Sequence, residues 1–351
     1  MPTQNHALDA QDRYFMMLAI EQAKHGLYTT RPNPAVGCVI VQAETIVGQG
    51  FHPKAGEPHA EVFAIKDAGA QSIGATAYVT LEPCSHTGRT PPCALALIKA
   101  GIKRVVIAGL DPNPQVAGRG VDILQQAGIE VRVGVLTAQA EALNRGFLKA
   151  MRTQMPYVRL KIATSLDGRT AMASGKSKWI TSAAAREDVQ ELRARSGAII
   201  TGSETVIADD PQLNVRSTHL GVSLDKIPTP KVIVLDRRQR LSHNPHSEYQ
   251  LCRLSETLYW RTDDLTALLK NLVSEHHCYD VLVEAGAGIA GSFLSQQLVD
   301  ELVVYQAPCV LGNAARAMVE FNPLSLAQQL RFEIASHEKI GHDMKLTLLP
   351  L

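Results

Sequence analysis

Stretches of helical spacing alternate with continuous apolar runs along most of the chain. Residues 36–41 (VGCVIV) are apolar on both faces, which predicts a strand buried on both sides, and residues 45–49 read as its hairpin partner. Before them, residues 12–25 place Phe15, Leu18, Ala19 and Ala23 on one helical face, with Gly26 in the position of a C-cap. The prolines of 31–34 (RPNP) cannot continue that helix. Helices are then predicted over 60–68, 92–100 and 118–127, between strands over 75–80, 104–108 and 129–133, and one helix over 138–151 leads out. Alternation with short links predicts an α/β layered domain. Near 152–156 the pattern restarts: a strand over 157–163, a helix over 183–195, strands over 198–201, 231–235 and 281–284, a helix over 289–297 and a strand over 301–306. The polar, proline-containing stretch 217–230 reads as a loop.

The length of 351 residues favours two domains, drawn at 1–152 and 153–351. A formal net charge of +1 and the lack of a long Lys/Arg run give no pull toward nucleic acid or an anionic membrane. Six cysteines spread over this length are not a disulfide framework. No stretch approaches the roughly 18–20 apolar residues of a membrane span. The expectation is a soluble, cytoplasmic protein.

Two short pieces carry chemistry. His59 and Glu61 (PHAE, 58–61) open one predicted helix; Cys84 follows a strand (LEPC, 81–84), and Cys93 opens the next helix. One imidazole and two thiolates are a three-ligand catalytic zinc set that leaves the fourth tetrahedral position to water. Both ligand segments lie at helix starts, where N–H groups favour thiolate. Glu61, two residues past a ligand, is not itself a ligand. It can take a proton from metal-activated water and return it to a ring and to departing ammonia. The pattern H-x-E followed by a P-C pair is that of zinc deaminases acting on a C–NH2 ring carbon. Here eight residues, not two, separate the cysteines.

In the second half, 281–292 (VLVEAGAGIAGS) fits strand, G-x-G-x-x-G, helix. Its place deep inside the domain, and the absence of an acidic residue about 20 positions on, argue against a Rossmann unit. Glycines before a helix N-terminus still suit a pyrophosphate. The residues alone leave two other readings open. One is a deaminase of a nucleoside or nucleic acid with a C-terminal binding domain. The other is a structural zinc protein whose glycine loop takes a regulatory nucleotide.

The segment 82–93 (EPCSHTGRTPPC) resembles the signature of the bifunctional riboflavin-biosynthesis deaminase–reductase family. So do 31–37 (RPNPAVG), 55–61 (AGEPHAE) and 111–120 (DPNPQVAGRG), and in the second half 160–171, 175–181 and 202–216. The resemblance implies a cytidine-deaminase-like α/β/α domain joined to a dihydrofolate-reductase-like α/β domain, the first using Zn2+ and the second NADPH. It implies deamination of a diaminopyrimidinone ribosylamino phosphate, then reduction of the ribosyl chain to ribityl. By that likeness Asn33, His52, His86 and Arg89 would contact the deaminase substrate. Ala163, Trp179, Thr205, Asp209 and the loop Gly286, Ala287, Gly288, Ile289, Ala290, Gly291 and Ser292 would contact NADPH. Lys161, Ser177, Arg193, Leu213, Arg216 and Glu284 would contact the reductase substrate. Arg237, just past the strand 231–235, is a candidate for the cofactor's 2′-phosphate. The partner is then a small molecule and not nucleic acid or a membrane, and the resemblance is compatible with a homo-oligomer.

Overall fold

The computed structural model describes residues 2–85, 91–113, 117–241, 248–254 and 256–351, with side chains from residue 8 onward. The chain divides into two compact units, Met1–Thr153 and Gln154–Leu351.

The first unit runs α1 (Pro2–Lys24), β1 (Gly37–Gln42), β2 (Thr45–Phe51), α2 (Ala60–Ala68), β3 (Thr76–Val79), α3 (Cys93–Lys99), β4 (Arg104–Ile107), α4 (Arg119–Gln126), β5 (Glu130–Val133), α5 (Thr137–Leu143) and α6 (Arg145–Thr153). Its five strands form one sheet in the order β2-β1-β3-β4-β5, antiparallel at the hairpin and parallel from β3 to β5. Ala60, Ala64, Leu97 and Leu124 of α2, α3 and α4 pack on one face, and Phe15, Met16 and Ala140 of α1 and α5 on the other. The run at 37–41 is buried because it lies inside this sheet with helices on both sides. Small residues bring α2 close: a Cβ on Gly50 would lie 2.6 Å from the Ala60 carbonyl. That contact sets the height at which the start of α2, with His59 and Glu61, stands over the sheet.

The single helix expected over 138–151 is in fact two, α5 and α6, interrupted at Asn144. Its side chain is engaged elsewhere in the unit, which no local pattern reveals. The first helix also begins earlier than residue 12, at Pro2.

The second unit runs β6 (Tyr157–Ser165), β7 (Arg169–Ala171), α7 (Ala183–Arg195), β8 (Ala198–Gly202), α8 (Ser203–Asp209), β9 (Lys231–Leu235), α9 (Gln250–Arg253) and β10 (Leu258–Trp260). It continues with α10 (Leu265–Ser274), β11 (Asp280–Val283), α11 (Ala287–Ser295), β12 (Glu301–Ala307), β13 (Arg316–Ala317), β14 (Phe332–Ile340) and β15 (Asp343–Pro350). Among the described residues an eight-stranded sheet has the order β10-β9-β8-β11-β6-β12-β15-β14, parallel from β10 to β12, with β14 and β15 as an antiparallel hairpin on one edge. Leu268, Leu272 and Phe293 of α10 and α11 fill one face; Val189, Leu192 and Leu251 of α7 and α9 fill the other. The strand order differs from a Rossmann sheet, and the glycine loop joins an inner strand, β11, to α11.

Candidate active sites

In the first unit His59 is the N-cap of α2, Cys93 is the first residue of α3, and Cys84 lies in the loop after β3. These loops leave the same edge of the sheet, so residues distant in sequence meet. The Nδ1 atom of His59 is 3.6 Å from Cys84 Sγ and 3.3 Å from Cys93 Sγ, and all three ligand atoms lie within 4.8 Å of one another. Tetrahedral zinc with bonds of about 2.3 Å to sulfur and 2.0 Å to nitrogen holds S and N roughly 3.5 Å apart. The two N–S distances match that spacing, and the donor set suits the ion. Among the described residues no other group of three or more His, Cys, Asp or Glu side chains converges in this way.

The electrostatics agree with the donor set. The Cys84 thiol is held well below its ordinary range, first by the Cys93 thiol beside it, then by His59 and by the Cys93 backbone N–H, which donates at 3.2 Å. Sharing with Cys84, and burial, push the Cys93 thiol up. Glu61 is buried, and among the described residues its Oε2 has no hydrogen-bond partner. Burial, then the neighbouring Cys84, raise its carboxyl to about 7.

Asn33 and His52 are part of the same cluster. Asn33 Nδ2 is 3.1 Å from His52 Nε2, His52 Nδ1 is 3.1 Å from the Pro58 carbonyl, and the His52 and His59 rings are 5.0 Å apart, edge to face. Burial lowers the His52 pKa, which keeps the ring neutral. Because Pro58 O can only accept, Nδ1 carries the proton and Nε2 accepts from Asn33. His86 and Arg89 lie outside the described residues.

Glu82 opens the 82–93 motif, and no local signal in the sequence marks a role for it. Only 4% exposed, its carboxylate accepts from the backbone N–H groups of Asp111 (3.2 Å), Gly118 (3.0 Å) and Gly120 (2.9 Å). It thus ties the stretch after β4 to the segment that carries Cys84. In Glu82→Gln one oxygen becomes a donor set against donors. The zinc-loaded N-terminal unit is expected to lose roughly 2–3 kcal/mol of stability. Denaturant titration checks this, and an unmoved N-terminal transition would show that the tie carries no load.

The second unit holds a cavity of about 1360 Å³. That exceeds the roughly 300–1000 Å³ of ordinary small-molecule pockets and leaves room for a dinucleotide beside a second ligand. Lys161, Ala163, Ser177, Trp179, Arg193, Thr205, Asp209, Leu213, Arg216, Arg237 and Glu284 all line it, as do Gly286, Ala287, Gly288, Ile289 and Ser292. Two members of the glycine loop do not. Ala290 is fully buried, and a Cβ on Gly291 would meet the Glu320 carbonyl at 1.9 Å. Gly291 serves close packing of α11, while Gly286, the N-cap, opens the helix start to the cavity.

Arg193 grips Glu284 with two bonds, 2.6 and 3.1 Å, and Lys161 stands 3.8 Å from the same carboxylate. Burial opposes ionisation of Glu284, but the charges of Arg193 and Lys161 outweigh it and hold the carboxyl below its ordinary range. Burial lowers Lys161 in turn. Ser177 Oγ donates to Asp209 at 2.9 Å. Arg237, exposed, pairs with Asp263 at 2.8 Å, so it would reach an anion only by leaving that partner. Arg238 and Arg240 line the cavity beside it, and the Arg186 guanidinium stacks 4.1 Å over the Trp179 ring. The sequence reading missed these three arginines. Strands β8 and β11 separate β9, which leads to Arg237, from β6, which carries Lys161, so the strands that lead to these two cations stand roughly 14 Å apart. Two cationic groups and a helix N-terminus along one cavity fit a nucleotide cofactor and a phosphorylated substrate.

Comparison with known proteins supports both units. Residues 9–109 match the cytidine and deoxycytidylate deaminase zinc-binding region, and residues 156–346 match the RibD C-terminal domain. The riboflavin biosynthesis protein RibD of Escherichia coli is 48% identical over 97% of this chain and 99% of its own. The solved structure of Acinetobacter baumannii RibD superposes with a TM-score of 0.92 at 54% identity, covering 98% of this chain and 99% of that one. A diaminohydroxyphosphoribosylaminopyrimidine deaminase/5-amino-6-(5-phosphoribosylamino)uracil reductase from Thermotoga maritima gives 0.86 at 33% identity, covering 98% and 99%. The first unit is cytidine-deaminase-like, the second dihydrofolate-reductase-like. With likeness of this strength running through both, the chain belongs to the RibD family of riboflavin-biosynthesis enzymes, which join a zinc-dependent deaminase to an NADPH-dependent reductase.

Proposed function

We propose that the two sites act in order on one small molecule, 2,5-diamino-6-(5-phosphoribosylamino)pyrimidin-4-one. In the first step water replaces a ring amino group and ammonia leaves. In the second, hydride from NADPH and a proton reduce C1′ of the opened ribosyl chain to ribityl. The observation that carries the reading is the buried Glu61 Oε2, without a hydrogen-bond partner among the described residues, beside a three-ligand cluster.

His59, Cys84 and Cys93 would hold zinc, which when bound supplies the Lewis acidity that acidifies water near neutral pH. Glu61 takes the proton from that water, delivers it to the ring nitrogen, and carries the second proton to the departing amine. Asn33 binds the ring edge, and His52 holds the Asn33 amide in place. In the second unit the first turn of α11, with Ala163, Trp179, Thr205 and Asp209, holds the cofactor. Arg193, Arg216, Lys161 and Ser177 hold the sugar phosphate. Setting donor and acceptor carbons in contact is the main contribution of the protein to hydride transfer. Glu284 keeps Arg193 and Lys161 charged and fixed. The compartment is taken to be the cytoplasm, where cysteines that form no disulfide stay reduced.

The test uses the zinc-loaded full chain and the pyrimidine phosphate. Ammonia release should proceed without NADPH, and loss of reduced nicotinamide absorbance should begin only after ammonia has appeared. Immediate NADPH oxidation, or preferential deamination of cytidine or single-stranded nucleic acid, would defeat the proposed order and substrate.

A further inference from the structure

We propose that Asn144, at the break between α5 and α6, is a positioning residue of the deaminase site that acts through the backbone of Ala35 on Asn33. The proposal rests on the reading of Asn33 as the ring contact.

Asn144 is 8% exposed and lies 109 residues from the loop it holds. Its Oδ1 accepts from the Ala35 N–H at 2.8 Å, and its Nδ2 donates to the Ala35 carbonyl at 2.9 Å. The side-chain amide thus pairs with one residue's backbone as a neighbouring strand would, satisfying both of its polar groups. Ala35 is itself buried, at 3% exposure. Among the described residues nothing else bonds these two groups, so without Asn144 a buried donor and a buried acceptor are orphaned together.

Two backbone bonds flank the clamp. Pro32 and Pro34 have no N–H to give. The Asn33 N–H donates to the Thr30 carbonyl at 2.9 Å, and the Val36 carbonyl accepts from His52 N–H at 2.9 Å. Asn33 therefore sits between the Thr30 turn on one side and the Ala35 clamp on the other. Its Nδ2 is committed to His52 Nε2, which leaves Oδ1 as the atom it can offer to a ring N–H. A shift of about 1 Å in a group that orients a substrate can cost on the order of a hundredfold in rate. The clamp sets that position from outside the site: Asn144 touches neither the metal ligands nor Glu61.

The isosteric Asn144→Asp, assayed in the zinc-loaded full chain at mildly alkaline pH, keeps the bond from Ala35 N–H and sets an oxygen against the Ala35 carbonyl. Deaminase kcat/KM is expected to fall at least tenfold, while zinc content and reduction of already deaminated substrate stay as in the parent. Adding Asn144→Asp to an Asn33→Ala chain should cost less than a further twofold, because the clamp then has no ring contact left to position. Multiplying effects, or an Asn144→Asp within twofold of the parent, overturns the clamp while Asn33→Ala alone still impairs deamination. If Asn33→Ala alone leaves deamination unchanged, the ring-contact reading falls and the clamp with it. Should Asn144→Asp lose zinc, Asn144→Ser is read against the same outcomes.

Discussion

Glu61→Gln is expected to slow ammonia release by about two to four orders of magnitude, the usual worth of a positioned general acid–base. The chain should keep its zinc and still oxidise NADPH on deaminated substrate. The substitution preserves size, so the buried slot at the start of α2 stays filled, and it removes only the capacity to carry a proton. Glu61 is not one of the three residues whose ligand atoms converge on the metal position, and among the described residues its Oε2 has no hydrogen-bond partner. Metal analysis and two separate assays on one preparation decide the matter. Deamination within tenfold of the parent would remove Glu61 from proton transfer, and loss of zinc would make it a ligand.

Cys84→Ala should abolish deamination altogether and reduce bound zinc to a small fraction of one per chain, with NADPH oxidation unaffected. Cys84 is within 3.6 Å of His59 Nδ1 and also accepts the Cys93 backbone N–H. Its loss removes one of three metal donors and unfastens the start of α3. Two ligands with no third do not hold zinc against a competing chelator. The same preparation should show a lowered first thermal transition, since metal binding adds to the stability of the unit that contains it. Near-stoichiometric zinc in Cys84→Ala would show that the ion is held elsewhere.

Where signals are local, they were legible. Helix α7 has the predicted limits because Ser182 caps it, accepting from the Ala185 N–H at 3.2 Å. The buried strand at 37–41 and the ligand segments at the starts of α2 and α3 were equally readable, since apolar runs and motif spacing mark them. Helix α10 carried a readable cue that went unused: Asp264 caps it, accepting from Ala267 N–H at 2.8 Å. The edge hairpin β14–β15 gave little to read, because most of β14 faces solvent. Least visible were the residues whose partners are remote. Asn144 and Glu82 are ordinary polar residues in sequence, and their work is done on backbone atoms 109 and up to 39 positions away. The twelve residues of VLVEAGAGIAGS (281–292) show the converse: a local pattern that suggests one fold while the strand order around it belongs to another.

Strand β6 lies at the centre of its sheet, bonded to β11 and β12, and carries Lys161 and Ala163 two positions apart. Alternation along a strand puts both on one side at a fixed interval of roughly 7 Å. The residue assigned to the sugar and the residue assigned to the dinucleotide are thereby graduated on a single rigid ruler. Inserting or deleting one amino acid between them would turn one of the pair to the far side, whatever its chemical identity. The meeting distance of the two reactants is thus recorded in backbone length, and it should tolerate side-chain exchange far better than a change in residue count.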